Sequence, residues 1–204
     1  MDDVIRLLGD GQHQINGYKF TINDRSSFYD WYNAYSEVQF QLQKLADGDG
    51  YANADRITAI NGAHSLIKHL MIKSAGKIVY DTDNLHNVTF TKNLLEYSDD
   101  YSRSVAKNSL WYLDTDGTTA NTNLGFQARH TLTKAANDGA LNAGGKNINC
   151  IIPINRYSFF EELEDRMLVP MQLQFNIELN DDDELIHKAH GVDAGRVVVN
   201  RLLL

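Results

Sequence analysis

This 204-residue chain holds only one cysteine and two prolines, so little in it staples or stiffens the backbone covalently. A lone Cys150 excludes an internal disulfide framework, so packing must hold the fold together. No apolar stretch approaches the length of a bilayer-crossing helix. The opening MDDVIRLLGDG has neither a basic lead nor a continuous apolar run, so no secretory signal is expected and a reducing compartment is the default. Positive charge is scarce as well. Lys and Arg number 19 against 27 Asp and Glu, the formal charge is −8, and no basic cluster exceeds two residues. Binding to a nucleic-acid backbone therefore lacks its electrostatic footprint.

What the chain does have is alternation. In SEVQFQLQKL, Val38, Phe40 and Leu42 share one face, and Glu37, Gln39, Gln41 and Gln43 share the other. In MQLQFNIELN, Met171, Leu173, Phe175, Ile177 and Leu179 oppose Gln172, Gln174, Asn176, Glu178 and Asn180. Strands with one apolar and one polar face are antiparallel in habit. INCIIPI places Ile148, Cys150, Ile152 and Ile154 together, with Pro153 steering that strand toward an edge. HSLIKHLMIKSAGKIVY reads as a hairpin turning at Ser74-Ala75-Gly76. GYKFTI, HNVTFT, SLWYL and GRVVVNRLLL are further candidate strands, giving about nine in all, the number a sandwich or jelly roll uses.

Helix is expected to be short. Residues 91–108 allow helical turns on each side of Asp99-Asp100, and a helical piece is expected at Gly125–Ala136. Ser158 and Glu161 have capping-box spacing, opening a helix to about Met167 that Pro170 must end. Its acids Glu161, Glu162, Glu164 and Asp165 are expected to stay wet while Phe159, Phe160 and Leu163 pack inward. Residues 114–147, rich in Asn, Thr, Gly and Ala, form a long excursion of the functional or interfacial kind. The whole, residues 1–204, reads as one domain, with an arm and first strand in 1–30.

Motifs that carry chemistry fail on inspection. DGDGYANAD (47–55) lacks the ligand, turn glycine and closing glutamate of a calcium loop. DTDGTT (114–119) and NDDDE (180–184) put acids side by side without convergence, and GGK (144–146) lacks the phosphate-loop pattern. His187 and His190 could share a metal only on a helix, while His64 and His69 point to opposite faces. Asn87-Val88-Thr89 is a sequon without a secretory context, and Cys150 falls on an apolar strand face where a thiol is inert. Glu161 and Glu164 lie on one wet face with nothing in the sequence to desolvate either. The expectation is therefore no catalytic, cofactor-binding or metal residue, no cofactor, and no enzyme.

The ordered set of segments resembles the first jelly roll of double-jelly-roll viral major capsid proteins, of Polinton/Maverick or adintovirus-like type, in the lineage of adenovirus hexon. The segments that carry it are WYNAYSEVQFQLQKLADG, then INGAHSLIKHLMIKSAGKIVYDTDN, then KNLLEYSDDYSRSVAKNSLWYLDTDG. GFQARHTLT, CIIPINRYSFFEELEDRMLVPMQLQFNIEL and RVVVNRLLL follow, so the likeness spans roughly residues 30–204. Members of that family carry two jelly rolls in one polypeptide, and only the first is matched. The resemblance implies an all-β, eight-stranded antiparallel jelly-roll sandwich with short inserted helices. It also implies a structural protein of the virion that self-assembles into trimeric capsomers of an icosahedral shell. Its partners would be its own copies and other capsid proteins, and it would be made in the host cytoplasm or nucleus. The rival is a carbohydrate- or ligand-binding β-sandwich, with Trp31, Tyr32, Tyr35, Trp111 and Tyr112 as a stacking platform.

Overall fold

The computed structural model describes residues 17–23, 26–52, 54–115, 122–133 and 145–204. Among them the chain is mostly β, with short helices between strands. The strands are β1 (Gly17–Ile22), β2 (Tyr35–Lys44), β3 (Ile57–Ala59), β4 (Ile67–Ser74), β5 (Lys77–Thr82), β6 (Ile148–Pro153), β7 (Leu173–Leu179), β8 (Ile186–Lys188) and β9 (Gly195–Leu203). The helices are α1 (Leu85–Glu96), α2 (Asp99–Arg103), α3 (Leu124–Thr133), α4 (Ser158–Glu161) and α5 (Asp182–Leu185), with 3-10 turns at Ala63–Leu66, Val105–Ser109 and Ile154–Arg156.

All pairings are antiparallel, as the alternation requires. A four-stranded sheet runs β1-β7-β4-β5, a three-stranded sheet runs β6-β2-β9, and β3 pairs with β8 alone. The described strands number nine rather than eight, seven of them in the two main sheets and two in the short pair. Inward residues of both main sheets enter one core cluster. Phe20, Leu70, Ile72, Phe175 and Ile177 come from the first sheet, and Val38, Phe40, Leu42, Ile148, Ile152 and Leu202 from the second. Two sheets sharing one apolar core are consistent with a β-sandwich.

The strongest alternations became the central strands. In β2 the buried positions are Ser36, Val38, Phe40 and Leu42, with Gln43 buried as well where the alternation breaks, and in β7 they are Leu173, Phe175 and Ile177. β6 is an edge strand, in keeping with Pro153 at its end. The β4–β5 hairpin turns through Ala75 and Gly76, both left-handed (φ 48° and 82°), which matches the twist of the flanking strands.

Three local expectations are corrected. HNVTFT is not a strand but the first half of α1, because Leu85, Thr89 and Asn93 recur at helical spacing and are buried. The sequon Asn87 therefore sits exposed on a helix. SLWYL is not a strand either. Leu110 takes a left-handed φ of 57°, and the chain beyond it is paired by one side chain. Asn61 Oδ1 accepts from Tyr112 N at 2.8 Å, and Asn61 Nδ2 donates to the Tyr112 carbonyl at 2.6 Å. One amide thus does what a neighbouring strand would do. Third, the helix expected to reach Met167 is a single turn, Ser158–Glu161, followed by turns. Its N-cap is Tyr157 and no side chain caps it; Glu161 is drawn instead to Lys92 of α1.

Pieces of the 114–147 excursion are described. Its expected helix is α3, and Arg129 of α3 reaches Asp114 at 3.1 Å. The segments 116–121 and 134–144, and most of the 1–30 arm, lie outside the described residues.

Tyr157 offers a first test. Its ring is 3% exposed, and its hydroxyl is buried without a hydrogen-bond partner among the described residues. A desolvated, unpaired hydroxyl costs about 1–3 kcal/mol. Tyr157→Phe is therefore expected to raise the thermal midpoint by about 2–4 °C per kcal/mol recovered, read by calorimetry. A lowered midpoint would mean the hydroxyl has a partner in solution.

Candidate functional site

A cleft with convergent polar side chains lies on the four-stranded sheet. It encloses about 420 Å³ between Gly17, Tyr18 and Lys19 of β1, His69 of β4, and Asn176, Ile177 and Glu178 of β7. Strand alternation turns Lys19, His69, Asn176 and Glu178 outward while Tyr18 and Ile177 pack toward the core, and His69 and Glu178 are register partners across the β4–β7 ladder. The β4–β5 hairpin then brings Asp81 to the same imidazole. His69 Nε2 lies 2.7 Å from Asp81 Oδ1 and 3.6 Å from Asp83 Oδ1, and Nδ1 lies 3.8 Å from Glu178 Oε2.

Both ring nitrogens are thus turned to carboxylates, and neither is presented to a substrate. No serine, threonine or cysteine lines the cleft to serve as a nucleophile. Burial raises the pKa of Tyr18, which keeps the phenol protonated. The arrangement ties three strands together across one sheet face, and it presents an acidic rim to solvent.

The outer face of the three-stranded sheet carries different chemistry, a ladder of amides. Gln39 Nε2 donates to Asn149 Oδ1 at 2.8 Å, and Gln41 Nε2 donates to Asn147 Oδ1 at 2.9 Å. Asn200 Nδ2 donates to the same Asn147 Oδ1 at 3.0 Å. Gln39 and Asn149 face each other directly across the β2–β6 pair. These outward polar residues of β2 form an uncharged, cross-linked surface that stiffens the sheet.

Among the described residues, those weighed from sequence do not assemble into a site. Asp47 accepts from Asp49 N, and Asp55 accepts from Ala52 N, so both serve their own turns. Asp181 pairs with Lys68, and Asp182 accepts from Val197 N at 2.7 Å. His187 lies on a strand with its ring edge-on to Phe126, so the spacing to His190 is not helical. Among the described residues, no group of three or more His, Cys, Asp and Glu is placed to hold a metal ion. Cys150 is buried, and burial pushes its thiol up to about 12, so it stays protonated. Of the acids expected to be wet, Glu161 is engaged by Lys92.

The aromatic platform does not form. Trp31 is 6% exposed and packs against Phe160 and Phe175, and Trp111 is 2% exposed against Phe90 and Tyr97. The His69 cluster went unnoticed in the sequence, although hairpin arithmetic from Ala75-Gly76 puts position 69 near 81–83. No helix among the described residues is long and apolar enough to cross a membrane. No protein-family model matches this chain, and no curated protein matches it.

Proposed function

We propose that this chain is a jelly-roll building unit of a virus-like shell, a structural protein without catalytic activity that assembles with copies of itself into trimeric capsomers. One observation carries the reading: the order in which the chain visits its two sheets. β1 lies in the four-stranded sheet and β2 in the three-stranded one. The β4–β5 hairpin returns to the first, β6 lies in the second, β7 in the first and β9 in the second.

An eight-stranded jelly roll follows this path. One of its sheets runs second, seventh, fourth, fifth, and the other holds the sixth, third and eighth side by side. Taking β1, β2, β4, β5, β6, β7 and β9 as the second to eighth strands reproduces both observed orders. The first strand of such a roll would lie beside the eighth, and β9 has no strand partner on that side among the described residues. Sequential hairpins would have given a meander instead.

The surfaces support the same reading. A shell brick needs rigid layers and flanks that carry recognition without disturbing the core. The amide ladder and the His69 brace stiffen the two outer faces, while the long excursion is fastened to the body through α3, where His130 Nδ1 donates to the Ile57 carbonyl at 2.8 Å. A net charge of −8 suits a shell that does not grip nucleic acid directly. The reading places the protein in the virion shell after synthesis in the host cytoplasm or nucleus.

The test is assembly. Light scattering on a sizing column and negative-stain microscopy of the purified chain are expected to show trimers or larger closed particles. A monomer at every concentration and ionic strength tried, with empty grids, overturns the assembly reading.

A further inference from the structure

Helix α1 is fastened to the body by a buried polar chain as well as by apolar contact. Its inward residues are Leu85, Thr89 and Asn93. Asn93 Oδ1 accepts from Arg156 Nε at 2.8 Å, and an arginine can only donate, so the amide orientation is fixed. Its Nδ2 is thereby turned to His64 Nδ1 at 3.2 Å. Since that nitrogen also only donates, His64 Nδ1 must accept. The imidazole is consequently the neutral tautomer with its proton on Nε2.

The ring has no room to rearrange. His64 is 4% exposed in the Ala63–Leu66 turn, and its ring lies 6.0 Å from that of Trp111. Gly62 has a φ of 90°, and a Cβ at that position would collide with the imidazole, so glycine permits this seat. His64 Nε2 is buried with no hydrogen-bond partner among the described residues.

The charges around it are unfavourable to a cation. From the Ile154–Arg156 turn comes Arg156, whose guanidinium lies 4.8 Å over the Tyr97 ring and 2.9 Å from Glu96 Oε2. From α1 come His86, which also opposes a charge on His64, and Lys92, which is engaged by Glu161. Glu96, the one acid on α1, is already held by Arg156. Cys150 is the only titratable side chain of β6, and it is neutral. Lys107, from the Val105–Ser109 turn, is exposed. Protonating Nδ1 would set two donors face to face and place an imidazolium near Arg156.

We propose that His64 is an acid-sensitive latch: neutral, it fastens α1 and the Ile154–Arg156 turn to the sandwich, and protonated, it releases them. The direction follows from linkage. Burial first, then Arg156 and His86, lower the pKa of His64 from 6.5 to about 3. Between those values the released form binds a proton that the closed form refuses. Closure is therefore tightest above pH 6.5 and weakens as the pH falls.

Hydrogen exchange of the full chain, followed by mass spectrometry and corrected for intrinsic rates, reads this directly. A one-proton latch predicts that protection of the α1 amides falls up to about tenfold per pH unit between about pH 6 and pH 4.5, ahead of the β2 and β7 amides. In His64→Gln that pH dependence should vanish from α1. Where that variant fails to fold, Asn93→Asp serves. Its carboxylate can accept from a protonated ring, so the acid response should flatten. Wild-type α1 protection that does not change with pH overturns the proposal, as does a variant that keeps the wild-type slope.

Discussion

Phe175→Asp is expected to yield no cooperatively folded protein. Phe175 is 1% exposed at the centre of β7, where it stands opposite Phe20 of β1 and Ile72 of β4. Its ring is stacked on Phe160 at 5.9 Å and lies 5.7 Å from Trp31. Losing such a ring costs about 3–5 kcal/mol in packing and cavity. The carboxylate then finds only apolar neighbours. It must either stay charged without a partner or take up a proton, and each route adds further cost. The sum approaches the whole stability of an ordinary domain, about 5–15 kcal/mol. Asn176→Asp, one residue on and facing out, is the control and should cost about 1 kcal/mol or less. Circular dichroism with thermal melting decides between them. If the Phe175 variant melts cooperatively while the Asn176 variant does not, the register of β7 is wrong by one residue.

How far the sequence revealed this fold depended on whether the deciding contacts were local. β2 and β7 were legible because their alternation is unbroken and a slip of one residue would turn every apolar side chain outward. The hairpin was legible because Ala75-Gly76 is a turn in its own right. By contrast, residues 86–91 alternate like a strand and fold as a helix. Leu85, Thr89 and Asn93 bury one helical face, and the partners that Asn93 meets there, His64 and Arg156, lie 29 and 63 residues away. The stretch at Trp111 failed for the same reason, since Asn61, 51 residues upstream, supplies its pairing. β3 and β8 are three residues each, too short to show any period. The His69 cluster needed one step that was available, namely counting back from the turn. The further step to Glu178 required knowing that β7 lies beside β4, and nothing local says so.

Asp114→Ala should destabilise the protein more than removing the arginine it faces. The Arg129 side chain is 2% exposed, whereas that of Asp114 is 36% exposed. Arg129 Nη2 donates to Asp114 Oδ1 at 3.1 Å, and Nη1 reaches the Tyr112 carbonyl at 3.5 Å. Burial lowers the arginine's pKa, and Asp114 opposes that shift, so the acid is what makes a cation tolerable there. Without it, the guanidinium keeps one weak carbonyl contact, and an uncompensated buried charge costs about 3–5 kcal/mol. The wet edge of Asp114 argues for the lower end, about 3 kcal/mol. Arg129→Met leaves a carboxylate that water can reach, and it keeps most of the buried stem volume. Its cost should be about half as large. The two changes together should be milder than Asp114→Ala alone, because the stranded cation is gone. Urea unfolding of the three variants measures the order. Equal losses from the two single changes, or a double variant worse than both, would mean that Arg129 is not a buried cation in solution.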